Sequence, residues 1–223
     1  MKLCIISDTH GCHNQYKLES GDILIHCGDA EIYNKNTLSQ FAKWMAKQNY
    51  KHKIFIPGNH DTFIESCTNT AYKEFDSLGI NMLINDGIEL EGLKFWGCPY
   101  TPPYGSWSFM VNTDKMAEIY KNAPKEVDIL ITHGPPIDIL DYVNMSQGNV
   151  GCNELFKYVV KTRPILNCFG HIHESYGQRS FNDMVFINAS LGFSLSPQRK
   201  KYPIMVEISN KKIYNMYELK EER

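Results

Sequence analysis

Arginine is scarce in this chain. Four arginines (163, 179, 199 and 223) stand against 19 lysines, so no guanidinium cluster is available as the bidentate clamp typical of polyphosphate sites. A net charge of −2 and a pI near 6.4 leave no basic footprint for duplex nucleic acid. Long apolar runs are missing too: none approaches the ~18 residues needed to span a bilayer, so no membrane partner is expected. The opening MKLCIISDTHG breaks at Ser7 and Asp8, too early for the apolar core of a secretion signal. Cysteines number seven, an odd count with no CxxC pair. Cys4, Cys27 and Cys168 lie in apolar runs, where a buried thiol is the ordinary outcome, and a reducing, cytoplasmic setting fits. Repeats, low-complexity tracts and linkers are absent as well.

What is present reads as one α/β domain over 1–223. A hydrophobic fraction of 43% and a charged fraction of 22% are ordinary for a globular chain with a sizeable core. Short apolar runs at 2–7, 22–28, 53–58, 93–97, 128–134 and 164–170 read as buried strands, followed by 184–190, 204–209 and 212–219. The segment 36–48 puts Leu38, Phe41, Trp44 and Met45 on one helical face, with Thr37 or Asn36 as its cap. Weaker helical patterns lie at 69–78, 113–122 and 152–162. Strands and helices alternate early and strands dominate late, as in an α/β fold with a largely buried sheet system.

Polar residues cluster at the ends of these strands. Asp8-Thr9-His10 follows the first run, Gly28-Asp29 the second and Gly58-Asn59-His60-Asp61 the third. Thr132-His133-Gly134 and Gly170-His171-Ile172-His173 end two later ones. Ligands of open α/β sheets gather outside the carboxyl ends of strands, and Asp and His are the ligand types of hard and borderline divalent metals. Each block alone could be a turn, but together they read as one metal site. On an extended segment side chains two residues apart share a side, so His171 and His173 can serve one ion, two neighbouring ions or none. His26 alternates inside an apolar strand and reads as a hydrogen-bonded core residue, whereas His52, between two lysines, reads as surface. His13 is either a solvated loop residue or a substrate contact. The segment 98–110, with Tyr100, Tyr104, Trp107 and Phe109 among Pro and Gly, either walls the site and stacks on a base or packs onto its own domain or a second subunit, so a homo-oligomer is possible. Tyr176 has the same two readings.

The ordered blocks resemble the calcineurin-like metallophosphoesterases. GDILIHCGD, GCPYTPPYGSWSFM, THGPP, GHIHESYG and INAS are similar to the MPPED (metallophosphoesterase-domain) subgroup over nearly the whole chain. The resemblance implies a β-sandwich of two mixed sheets flanked by helices, a four-layer αββα architecture. It also implies two divalent ions, one held by Asp8, His10, Asp29 and His173 and the other by Asp29, Asn59, His133 and His171. Such ions lie about 3.5–4 Å apart, and Asp29 would bridge them. By the same resemblance His60 would serve the leaving oxygen, Asp61 would orient its imidazole, and a metal-bridging hydroxide would attack a phosphodiester. The implied substrate is a small phosphate ester, a nucleotide, with cyclic 2′,3′ or 3′,5′ diesters the leading class.

A donor set of N and O without thiolate suits manganese first, with iron, zinc, nickel or cobalt as alternatives. Ile32 occupies the position where some relatives carry a tyrosine ligand, and Tyr33 falls one residue late, so a tyrosinate-bound ferric centre is not expected. Competing readings are a phosphomonoesterase or protein phosphatase of the same fold and a non-catalytic scaffold. Retention of His171, replaced by Gly in one known subgroup departure, weighs against the scaffold. A single-metal cupin site would leave Asp8, Asp29 and His133 unexplained.

Overall fold

The computed structural model describes residues 1–145, 148–192 and 200–220. Apolar runs become strands as expected, with β1 at Lys2–Ile6, β2 at Gly21–His26 and β3 at Tyr50–Phe55. The short β4 (Asn81–Met82) follows, then β5 (Asp86–Leu90), β6 (Leu93–Cys98) and β7 (Ile129–Thr132). β8 (Tyr142–Val143) and β9 (Gly148–Asn149) pair as a small ribbon. The remainder are β10 (Leu166–Phe169), β11 (Gly177–Phe181), β12 (Met184–Asn188), β13 (Ile204–Ser209) and β14 (Lys212–Glu218).

The two large sheets run β14-β13-β1-β2-β3-β4 and β11-β12-β10-β7-β6-β5. Each is mixed. The pairs β1–β2, β2–β3, β3–β4, β6–β7, β7–β10 and β10–β12 are parallel, while β1–β13, β13–β14, β5–β6 and β11–β12 are antiparallel. Parallel strands covered on both faces read as continuous apolar runs, which is why the central strands are visible in the sequence. The polar edge strands β5 and β11 and the two-residue β4 are not, because no alternation marks them. The run 53–58 enters its sheet three residues early and leaves it at Ile56-Pro57-Gly58.

Side-chain alternation builds the layers. In the second sheet Ile129, Ile131, Leu166, Cys168 and Ile187 join the core that includes the first sheet, while Leu130, Phe169 and Phe186 face the other way. That outer face is covered by α4 (Thr113–Asn122) and α5 (Asn153–Thr162) through Met116, Tyr120, Leu155 and Val159. The first sheet is covered by α1 (Lys35–Ala46) and α3 (Thr68–Ser77), which bury Leu38, Phe41, Met45, Ala71 and Phe75. The order helix, sheet, sheet, helix is the expected αββα sandwich. α1 starts earlier than its periodicity predicts. Its cap is Asn34, whose side chain accepts the Asn36 and Thr37 N–H groups while Thr37 answers with its hydroxyl, a reciprocal capping box. The five-residue α2 (Thr62–Ser66) is too short to register as a pattern.

His26 is a hydrogen-bonded core residue, as its alternation indicated. Its Nδ1 accepts the Gly28 N–H at 3.2 Å, leaving Nε2 to meet the Thr9 hydroxyl at 3.0 Å. Burial pushes its pKa down to about 3 from 6.5. The folded chain therefore refuses a proton that the unfolded chain accepts below 6.5, so stability is lost as pH falls from there toward 3. At about pH 4.5 the loss from this group is roughly 3 kcal/mol. Urea titrations of chelator-treated protein are expected to fall less steeply with pH in His26→Gln than in the unaltered chain. Equal slopes would contradict the assignment.

Candidate metal centre

The strand-end blocks converge where the two sheets meet, at the Ser7–Ser190 bridge. Asp8 lies just beyond β1, Asp29 beyond β2, Asn59 beyond β3, His133 directly after β7 and His171 beyond β10. Several of these residues hold left-handed backbone, with φ of 54° at Asp8, 42° at His10, 58° at Asp29 and 68° at His171. Such conformations cost of order 1–3 kcal/mol each and persist only where surroundings fix them. Here the fixing groups are neighbouring blocks. The Asp8 N–H donates to Gly28 O at 2.8 Å, the His10 N–H to Asp29 O at 3.1 Å, and the His171 N–H to the Asp8 carboxylate at 3.0 Å.

Two donor clusters result. Asp8, His10 and His173 bring ligand atoms within 4.8 Å of one another, and so do Asp29, His133 and His171. His173 Nε2 lies 3.2 Å from Asp8 Oδ1 and 3.3 Å from His10 Nε2. In the second cluster His133 Nε2 lies 3.4 Å from Asp29 Oδ2 and 2.9 Å from Asn59 Oδ1. Asp29 Oδ1 also accepts the His60 backbone N–H at 2.7 Å. The first cluster holds three of the four residues that the family resemblance implied for one ion, without Asp29, and the second holds Asp29, His133 and His171 with Asn59 against His133.

Charge in the centre is settled by these contacts. Asp8, Asp29 and His133 are fully or almost fully buried. Burial opposes the charge on Asp8, yet His173 and His133 hold its carboxyl well below the usual range. Burial works against Asp29 as well, and His133 lowers it. For His133 burial is again outweighed, and Asp29 and Asp8 raise it to about 9. Its Nδ1 lies 2.9 Å from Cys27 O, to which it donates, and its Nε2, the nitrogen left to face an ion, lies 2.9 Å from Asn59 Oδ1. That orients the Asn59 amide with Nδ2 outward, donating to the Tyr104 hydroxyl at 3.0 Å. Burial pushes His171 down to about 3 and also lowers His10, so both favour the neutral, ligating form.

Several expectations need correction. His171 and His173 do not share an extended segment: φ of 68° at His171 and a 3-10 turn at His173–Ser175 swing one ring to each cluster. Asp61 does not orient His60. Its carboxylate is fully buried and accepts the N–H groups of Asp29, Ala30, Ile32 and Gly58. Burial and nearby Asp29 push it up to about 7 against those donors. The carboxylate facing His60 is Glu31, which with His10 and His60 forms a third cluster within 4.8 Å.

His13 is neither solvated nor at the site, since its ring is buried against Phe41 and Trp44 at 5.4 and 4.9 Å. Tyr176 is buried with its hydroxyl donating to Tyr202 O at 2.8 Å, and Tyr100 packs on Phe109 at 5.8 Å. Buried Tyr176 offers no substrate surface, whereas Tyr100 is half-buried. Tyr104 and Trp107 do overhang the centre, at 5.3 Å from the His171 ring and 4.4 Å from the His60 ring. Glu31 and Glu65, the latter accepting the Phe109 N–H at 2.9 Å, escape the sequence reading. Acidic residues in polar stretches read as surface, and the one available cue is proximity to Asp29 and His60 in the chain.

Helix-flanked paired mixed sheets with Asp, His and Asn donors at their strand ends define a metal-dependent phosphoesterase scaffold. A model of the calcineurin-like phosphoesterases matches residues 1–175, and the chain belongs to that family. It is 31% identical over 227 residues to human metallophosphoesterase domain-containing protein 1, covering 91% of this chain and 69% of the human one. Among solved structures, phosphopantetheinyl hydrolase (PptH) from Mycobacterium tuberculosis superposes with a TM-score of 0.62 at 16% identity, over 86% of this chain and 89% of that one. The protein TT1561 of Thermus thermophilus gives 0.60 at 12% identity over 98% and 99% of the respective chains.

The donors fit divalent ions. Buried Asp8 and Asp29 have histidines as ion-pair partners, and no lysine or arginine among the described residues pairs with either. Two glycines make this packing possible. A side chain at Gly58 would run into Asp29 Oδ1 and come within 2.6 Å of His133 Cε1, and one at Gly170 would strike the Asp8 carboxylate and come within 2.6 Å of Ser7 Cβ. Gly58→Ala and Gly170→Ala are each expected to lower bound metal at least about 10-fold, since displaced groups around metal ligands typically cost 10–100-fold. Metal analysis after dialysis checks this, and full retention by both variants would show that these close approaches do not shape the centre.

Proposed function

We propose that the chain is a dinuclear metal-dependent phosphodiesterase acting on small nucleotide diesters, with cyclic nucleotides as the leading class. The observation that carries this reading is the pair of donor clusters at the strand ends, Asp8, His10 and His173 in one and Asp29, His133 and His171 in the other. Asp8, His10 and His173 would hold one ion, Asn59, His133 and His171 the other, and Asp29 would bridge them. The N/O donor set supports manganese, and the free cysteines throughout the described structure support a reducing, cytoplasmic setting.

When bound, such ions supply an activated water near neutral pH and neutralise phosphoryl oxygens. The protein supplies orientation and proton handling. His60 stands beside His10, ring centroids 5.0 Å apart, and donates a proton to the leaving oxygen. Glu31 faces it as the carboxylate partner. The exposed faces of Tyr104 and Trp107 support an aromatic wall suited to a base. A diester is favoured over a monoester because no described arginine or lysine pairs with Asp8 or Asp29, and none of the described arginines forms the bidentate clamp typical of more highly charged phosphates.

Chelator-stripped protein reloaded separately with Mn²⁺, Zn²⁺, Ni²⁺ or Fe²⁺ is expected to cleave bis-p-nitrophenyl phosphate in preference to p-nitrophenyl phosphate. His171→Ala should lose at least about 100-fold, the upper end of what groups merely supporting a ligand contribute. Preference for the monoester would replace the diesterase reading with a phosphatase. Absence of turnover with every metal, from folded protein, would favour a scaffold.

A further inference from the structure

Tyr104 sits in an unusual hydrogen-bond position for a residue on an exposed loop. Its phenol oxygen accepts the outward Asn59 Nδ2–H at 3.0 Å, while the same amide turns Oδ1 to His133. An acceptor fixed in this way leaves the O–H proton free to point away from Asn59. No acceptor for that proton is found among the described residues. The ring lies 5.3 Å from His171, on the open side of the centre.

The loop that carries it is held rather than free. Thr101 and Met110 close its base as a bridge, and the Thr101 N–H donates to Phe109 O at 2.9 Å. The Ser108 N–H reaches Asn59 O at 3.3 Å. Phe109 takes a left-handed φ of 53° with its ring buried, and its N–H donates to Glu65 on α2. α2 begins directly after Asp61, so Glu65 ties the overhang to the element that presents Asn59 and His60.

We propose that Tyr104 is a further catalytic residue, donating its O–H to a non-bridging phosphoryl oxygen of the substrate, and that Glu65 is the positioning residue that holds it there. This rests on the phosphoesterase reading above. A neutral donor is well suited to a centre poor in arginine, because it stabilises charge that grows on the phosphoryl oxygen without adding a cation that would compete with metal ions. Asn59 links the two tasks, with one end of its amide in the second donor cluster and the other setting the direction of the phenol.

The test uses the metal-loaded full chain as Tyr104→Phe, Glu65→Ala, Glu65→Gln and the double variant Tyr104→Phe/Glu65→Ala. Three quantities are read: diester hydrolysis, inorganic phosphate binding by calorimetry, and metal content. Tyr104→Phe keeps the ring and removes one donor. It is expected to lower kcat by about 10- to 100-fold with little change in KM, somewhat below the loss from deleting a buried oxyanion donor. Phosphate should bind about 10-fold more weakly, with metal content unchanged. Glu65→Ala should show the same split, Glu65→Gln should largely restore it because the amide oxygen still accepts the Phe109 N–H, and the double variant should be no worse than Tyr104→Phe alone.

Unchanged kcat and unchanged phosphate affinity in Tyr104→Phe would overturn the proposal. Loss of metal in that variant would overturn it too, by making Tyr104 a support for Asn59. If the unaltered chain binds phosphate but turns over no ester, the hydrolase reading fails alone, and weaker phosphate binding by Tyr104→Phe still upholds the contact. A chain that binds no phosphate overturns it.

Discussion

Asp8 and Asp29 are carboxylates buried close together at the mouth of a sandwich, and the rest of the centre is arranged around their charge. Neither can be left alone there, because an unpaired buried carboxylate is costly enough to drive protonation or unfolding. The described structure answers with histidines and backbone N–H groups instead of lysine or arginine. A fixed guanidinium would neutralise the site permanently. Imidazoles leave the negative charge available to a bound cation.

That constraint reaches far into the fold. Left-handed backbone at Asp8, His10, Asp29 and His171 aims the donors inward, and each strained turn is hydrogen-bonded to another of the blocks. Asp61, spent on the N–H groups around Asp29, is the peg that holds two of those turns together. The two sheets do not merely pack on one another here. The His133 ring from one sheet donates to the Cys27 carbonyl of the other, so the centre also seals the sandwich edge.

Much of this is legible in the residues because the signals are local. Fully covered parallel strands announce themselves as apolar runs, and Asp, His and Asn beside glycine at their ends mark one face of the sheet system. What escapes depends on distant packing. His13 and Tyr176 lie next to site motifs in the chain, yet their rings turn into the core, against α1 and toward Tyr202. Asp61 is adjacent to His60, and adjacency suggests a contact that the backbone donors claim first. Glu31 and Glu65 carry no pattern of their own, and their positions follow from turns that no periodicity records. Edge strands such as β11, with exposed polar side chains, are invisible for the same reason.

The proposed centre holds two ions that share Asp29. Anomalous diffraction from crystals of the manganese-loaded chain tests it most directly. Two peaks about 3.5–4 Å apart are expected, one against Asp8, His10 and His173, the other against Asn59, His133 and His171, with Asp29 touching both. A single peak, or a second ion held instead by Glu31 and His60, would contradict it.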